Sequence, residues 1–112
     1  MLLTNEMDYE AILKDLVRAA SIDSSDATAH YYLSFIYAAC PDKSFRDGNK
    51  GLQHATKACN LTSNKHWEYL TMLAASHAEN DNFDKAVSVC EAALKLAPEA
   101  NKAQVQVMLG HF

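Results

Sequence analysis

The chain has 112 residues, enough for one domain of ordinary size, and 49% of them are hydrophobic, which argues against a disordered protein. The net charge of −4, with no cluster of Lys or Arg, argues against a nucleic-acid-binding protein. Only three glycines and two prolines occur, and this scarcity favours helices over a β fold rich in turns.

Apolar residues spaced three and four positions apart predict six helices. Along the chain, Asp26 is a predicted N-cap of the second helix and Asp47 of the third, while Pro41 ends the second helix and Pro98 the fifth. The connections are short and no alternating strand pattern occurs, so the predicted fold class is an all-α stack of antiparallel helices. The predicted helices cover residues 5–22, 27–39, 48–61, 66–79, 83–96 and 99–110.

Two kinds of helix alternate along this chain. The first kind occurs in residues 26–39 and again in 66–79, at an offset of 40 residues, and the second kind occurs in 8–23 and 82–97. Within the first kind, Leu73 has its counterpart 34 residues later in a valine. A period of 34 residues built from two helices is typical of a helical repeat protein.

The repeat resembles that of the tetratricopeptide-repeat family, and residues 67–98 read as nearly one full repeat. The stretch CPD…RDG at 40–48 is similar to an insertion between the paired helices in a bacterial subset of that family. The resemblance implies a right-handed superhelical stack of antiparallel helix pairs, an α-solenoid in a single domain over 1–112, with the last helix as a cap. The residues that match family positions are Leu70, Leu73, Ala74, His77, Ala86, Cys90, Ala93 and Pro98.

A peptide-binding groove is the function that this resemblance implies. In the family, the first helix of each pair lines a concave surface, so the chain is expected to be a protein–protein interaction scaffold that binds a peptide or protein segment there. Tyr31 and Phe35 indicate an apolar or aromatic groove, and Glu68 and Glu79 favour a basic ligand. The candidate groove residues are Thr28, Tyr31, Phe35 and Ala39 of the second helix, Glu68, Thr71, Ala75 and Glu79 of the fourth, and Lys102 and Val105 of the sixth.

Two alternatives to a peptide-binding scaffold stay open at the level of the sequence. In one, the apolar face mediates self-association into a homo-oligomer and there is no separate ligand. In the other, the chain is a fragment of a larger array, because its first helix is of the second kind and its last helix is of the first kind.

No catalytic centre, metal site or cofactor is predicted, so an enzyme is not expected. Cys59 and Cys90 fall at apolar helical positions, where cysteine acts as a small hydrophobic residue, and Cys40 has no histidine beside it in the sequence. The five histidines lack the paired spacing of zinc sites. In the loop after Cys40, Asp42 and Arg46 are expected to form an ion pair.

Cysteine usage and hydropathy point to a cytoplasmic protein that does not enter membranes. An odd number of widely spaced cysteines does not make a disulfide framework. Residues 1–3 are apolar but lack the pattern of a signal peptide, and no apolar run approaches the length of a membrane span.

Overall fold

The computed structural model describes residues 8–112, and this part of the chain is helical with no strand. The all-α class and the six predicted helices are therefore confirmed. A short 3₁₀ helix, Lys43–Phe45, which the sequence did not predict, lies in the loop before α3. The helices are α1 (Tyr9–Ile22), α2 (Ala27–Ala39), α3 (Gly48–Leu61), α4 (Trp67–Glu79), α5 (Phe83–Leu96) and α6 (Glu99–Gly110).

Polar caps determine where the helices begin. The predicted N-caps Asp26 and Asp47 are confirmed, since their carboxylates accept hydrogen bonds from the backbone amides of Ala29 and Lys50 at 3.1 and 3.2 Å. Four of the six helices begin and end at the predicted residues. Each capping bond satisfies an amide that has no partner within its own helix.

Two helices begin later than predicted. Residues 5–7 of the predicted first helix lie outside the described residues, and Asp8 is the N-cap of α1 because its carboxylate accepts from the amide of Ala11 at 3.1 Å. The fourth helix begins one residue after the predicted start, since His66 has an extended backbone conformation and is itself the cap position. The one-residue difference at α4 lies within the uncertainty of helix ends, whereas the prediction placed the start of the first helix four residues too early.

The helices pack as two central pairs with one further helix at each end. The pair α2–α3 and the pair α4–α5 have the most extensive contacts, α3 joins the pairs by packing on α4, and α2 also contacts α4 directly. At the ends, α1 packs on α2 and α6 packs on α5. A row of small buried residues allows close approach between the helices: Ser34, Ala55, Ala58, Ala74, Ala86 and Ala93.

The loop between α2 and α3 is fixed by hydrogen bonds other than the one expected. The predicted ion pair between Asp42 and Arg46 is wrong, because each side chain has another partner. Arg46 Nε donates to the carbonyl oxygen of Cys40 at 2.8 Å, and the Asp42 carboxylate accepts from the Ser44 amide at 3.0 Å and from its hydroxyl at 2.7 Å. The carbonyl of Cys40 is available because it lies just past the end of α2.

This loop also contacts the first helix. The ring of Phe45 is partly buried, and its centroid lies 5.9 Å from that of Tyr9 in α1. The amide of Asp47 donates to the carbonyl oxygen of Tyr37 at 2.8 Å, which closes the loop against α2. The loop is therefore an ordered part of the α1–α2 end of the stack.

Candidate functional site

An apolar cavity of about 410 Å³ lies between α1 and α2. A volume of this size falls in the range of about 300–1,000 Å³ that is usual for ligand pockets. Almost all of its surface is contributed by carbon atoms, and Tyr32, at its edge, is 50% exposed. The lining residues are Tyr9, Ile12 and Leu16 of α1 and Tyr31, Tyr32, Phe35 and Ile36 of α2.

A row of stacked rings continues from the cavity to α4. The ring of Tyr31 lies 4.9 Å from that of Tyr69, and Tyr69 in turn stacks on His66 with ring centroids 3.8 Å apart. Tyr32 meets Tyr31 edge to face at 5.1 Å. These contacts hold the ring of Tyr31 between its aromatic neighbours in the wall of the cavity.

Acidic side chains lie beside the cavity. Burial raises the pKa of Tyr31, and the nearby carboxylate of Glu68 raises it further. Asp8 and Glu10 are exposed at the start of α1, where they line a separate polar depression together with Lys14. Glu68 thus favours a partner that carries positive charge close to an apolar side chain.

The structure brings together two of the ten predicted groove residues in the cavity. Tyr31 and Phe35 both line it. Thr28 lies one turn away, where its hydroxyl is 3.3 Å from the hydroxyl of Tyr69. Ala39, at the end of α2, is partly exposed and does not line the cavity. The four predicted residues of α2 therefore lie along one face of the helix, and the two in the middle, Tyr31 and Phe35, line the cavity.

The predicted residues of α4 lie outside the cavity lining. Glu68 and Glu79 are exposed, and Ala75 is partly exposed. The hydroxyl of Thr71 donates to the carbonyl oxygen of Glu68 at 2.6 Å, within its own helix. Of these residues, Glu68 lies near enough to Tyr31 for its carboxylate to raise the pKa of that side chain, after the larger effect of burial.

The predicted residues of α6 are engaged within the protein. Val105 is 1% exposed and belongs to the core, and its carbonyl oxygen lies 3.8 Å from Cys90 Sγ. Its assignment to the groove is therefore wrong, since a buried side chain offers no surface to a ligand. Lys102 is partly exposed, and its ammonium group donates to the carbonyl oxygen of Leu94 at 2.8 Å.

One whole wall of the cavity was missed from the sequence. Tyr9, Ile12 and Leu16 follow one another at three- and four-residue steps on α1, which is the pattern of a helix face packed in a core. The apolar pattern of these residues was visible in the sequence, but it did not show which helix they face. The signal in the sequence is an excess of apolar residues on α1, a terminal helix with a neighbouring helix on one side only. Such an excess predicts an exposed apolar surface.

The cysteines and the possible metal ligands are the groups weighed as reactive in the sequence. Cys40, Cys59 and Cys90 are all buried free cysteines, and burial raises the pKa of Cys59 to about 11. Within residues 8–112, no three side chains of His, Cys, Asp or Glu come together in a way that could hold a metal ion. No helix in this part of the chain is both long and apolar enough to cross a bilayer.

Comparison with known proteins adds no relative from which a function could be transferred. No model of a protein family matches the chain, and a search of curated proteins and a search of solved structures each return no match. What the chain does must therefore be inferred from the packing of its helices and from the cavity between α1 and α2.

Proposed function

We propose that this chain is a tetratricopeptide-repeat-like scaffold for protein–protein interaction, and that it binds a peptide or protein segment at the α1–α2 cavity. The observation that carries this proposal is a preformed apolar cavity of about 410 Å³ whose lining includes Tyr31 and Phe35. The proposal includes the right-handed winding of that family, its bacterial-type insertion at 40–48, and a cytoplasmic location.

The pairing of the helices supports this proposal. Contacts within α2–α3 and α4–α5, and between α2 and α4, are those that a solenoid of helix pairs makes when each pair stacks on the next. In such a stack, the first helices of successive pairs share one side. The aromatic contact between Tyr31 of α2 and Tyr69 of α4 lies between these two helices.

The chemistry of the site defines the partner. An aliphatic or aromatic side chain would fill the cavity, since its lining offers few polar groups to satisfy a polar one. A Lys or Arg residue flanking this anchor would lie near Glu68. The favoured ligand is therefore a basic segment with one large apolar anchor residue.

Peptide selection tests the proposal. A displayed library should be selected against the wild-type protein, and the recovered peptides should share an apolar residue next to basic ones. Their affinity should fall about tenfold or more in Phe35→Ala, because the anchor loses a wall of its pocket. The matched control is Phe83→Ala, since Phe83 is 47% exposed and lies on α5, outside the cavity.

Two results would contradict the proposal. One is equal loss of affinity in Phe35→Ala and Phe83→Ala when thermal melts show that both variants are folded. The other is a concentration-dependent increase in mass, by sedimentation, that Phe35→Ala abolishes, because the groove would then hold a second copy of this chain. Binding of selected peptides to a protein that stays monomeric supports a separate partner.

A further inference from the structure

Two histidines form a direct contact between α2 and α3. The Nδ1 atoms of His30 and His54 are 2.9 Å apart, and the two rings are stacked with centroids 5.2 Å apart. His30 is only 7% exposed, and its other ring nitrogen, Nε2, lies 2.9 Å from the carbonyl oxygen of Ser24. Ser24 belongs to the connection between α1 and α2, so one imidazole links three segments of the chain.

The hydrogen bonds determine where the protons lie at neutral pH. A carbonyl oxygen can only accept, so His30 Nε2 must carry a hydrogen and donate to Ser24. In neutral His30, Nδ1 is then unprotonated and accepts. It follows that His54 donates from its own Nδ1 and that its Nε2 is the free basic nitrogen.

One additional proton is compatible with this arrangement and a second is not. A first proton on Nε2 of His54 leaves the Nδ1–H donor directed at His30. A second proton would have to enter Nδ1 of His30, and two N–H groups on two cations would then face each other across 2.9 Å. The contact between the two rings must break before the second proton is accommodated.

The groups around the pair oppose protonation. Lys50 of α3 lies 5.5 Å from the centroid of the Tyr37 ring, and Tyr37 itself stacks on His54. The pKa of His54 is lowered by burial first, then by the charges of His30 and Lys50. The two carboxylates of the α1–α2 connection bind backbone amides: Asp23 accepts from Ser25, and Asp26 accepts from Ala29 as the cap of α2.

We propose that the His30–His54 pair is an acid-sensitive connection between α3, α2 and the α1–α2 turn, which holds at neutral pH and opens when both imidazoles are protonated. The cavity lies between α1 and α2, so opening this connection also allows one wall of the cavity to move relative to the other. The acid sensitivity does not depend on whether the groove has a ligand.

The direction of the pH effect follows from proton binding. The unfolded chain can protonate both histidines near their ordinary pKa of about 6.5, whereas the folded chain resists the second proton. The unfolded state therefore binds more protons as the pH falls below about 6.5. This contribution to stability is fully present above that pH and is lost as the pH falls through the lowered pKa of His54 in the folded state.

The variant His54→Asn separates titration from packing. An asparagine amide can donate from nearly the position of the histidine Nδ1, but it does not titrate. Urea unfolding should be measured at pH 8 and pH 5 for wild type, for His54→Asn and for His111→Gln, a control at an exposed position of the C-terminus. On going from pH 8 to pH 5, the unfolding constant should rise more in wild type and in the control than in His54→Asn. The additional rise should be about tenfold for each pH unit by which the folded pair delays its second protonation.

NMR of the labelled imidazoles tests the contact itself. A scalar coupling between Nδ1 of His30 and Nδ1 of His54 should be present at pH 8 and absent at pH 5. Two independent titrations at the ordinary pKa, with no coupling at any pH, would overturn the proposal, as would equal pH dependence in wild type and His54→Asn. Stoichiometric stabilisation of wild type by Zn²⁺ at pH 8, lost in His54→Asn, would also overturn it, since the pair would then be a metal site.

Discussion

Gly51 of α3 lies directly against Ala38 of α2: a Cβ atom added to the glycine would be 3.1 Å from the Cβ of the alanine and 3.3 Å from its backbone nitrogen. These distances are tighter than ordinary carbon contacts, and one of the two atoms is backbone. The absence of a side chain at Gly51 therefore allows the close approach within the α2–α3 pair.

We expect Gly51→Val to destabilise the protein by about 1–3 kcal/mol, because the added carbons have no space between the two helices. Urea unfolding measures the change. The matched control is Gly110→Val, since a Cβ atom at Gly110 would meet nothing within 4 Å. Equal stabilities for the two variants would mean that α2 and α3 do not pack at this distance.

Asn80 connects the end of α4 to the start of α3, and its loss should be costly. Its Nδ2 atom donates to the carbonyl oxygens of Gly48 at 2.8 Å and of Ser76 at 2.7 Å. We expect Asn80→Ala to lower the free energy of unfolding by about 1–3 kcal/mol. Asn60→Ala, at an exposed position of α3, serves as the control and should change thermal stability little. The opposite ranking in thermal melts would contradict this connection.

Arg46 and Asp42 should act independently, because they stabilise different parts of the loop. Arg46→Ala removes the donor to the Cys40 carbonyl and should cost about 1–2 kcal/mol. Asp42→Ala removes the acceptor for Ser44. In a double-mutant cycle the two effects should add within about 0.5 kcal/mol. A larger coupling energy would restore the ion pair that the sequence suggested.

The three thiols should be unreactive in the folded protein. Burial raises the pKa of Cys59 to about 11 and also raises that of Cys90, so at pH 8 only about one Cys59 in a thousand is a thiolate. Reaction with a disulfide reagent should be slow at pH 8 and should consume all three cysteines once guanidinium unfolds the chain.

The variant Ser88→Cys adds a thiol at an exposed position of α5 and provides a positive control. It should react rapidly with one equivalent of reagent before unfolding. Rapid reaction of a thiol in the folded wild-type protein would show that at least one of the native cysteines is accessible or activated.

Local signals in the sequence were sufficient for the helices. The carboxylates of Asp26 and Asp47 stand next to the amides that they cap, so capping residues and the 3.6-residue period locate α2 and α3 without tertiary information. Tyr31 and Phe35 were assigned to a groove by the family resemblance, and both line the cavity. A structural role that depends only on residues a few positions away in the sequence, such as helix capping, can be predicted in this way.

Contacts between distant segments were the part that the sequence did not reveal. Val105 was assigned to the groove by its repeat position, but α6 lies at the end of the stack and turns this residue into the core against α5. His30 and His54 are 24 residues apart, and no spacing rule relates them. Arg46 was assigned to the nearest carboxylate, whereas a carbonyl freed by the end of α2 was the better placed acceptor.

Tyr9 belongs to two contacts at once, since it lines the cavity and its ring also meets Phe45 of the α2–α3 loop. The long loop therefore supports α1 from a second direction, and the width of the groove depends on the loop as well as on the two helices that form its walls. A chain with a shorter loop between α2 and α3 would keep both helices but would lose this support. Shortening this loop would therefore change the shape of the cavity with no change in the residues that line it.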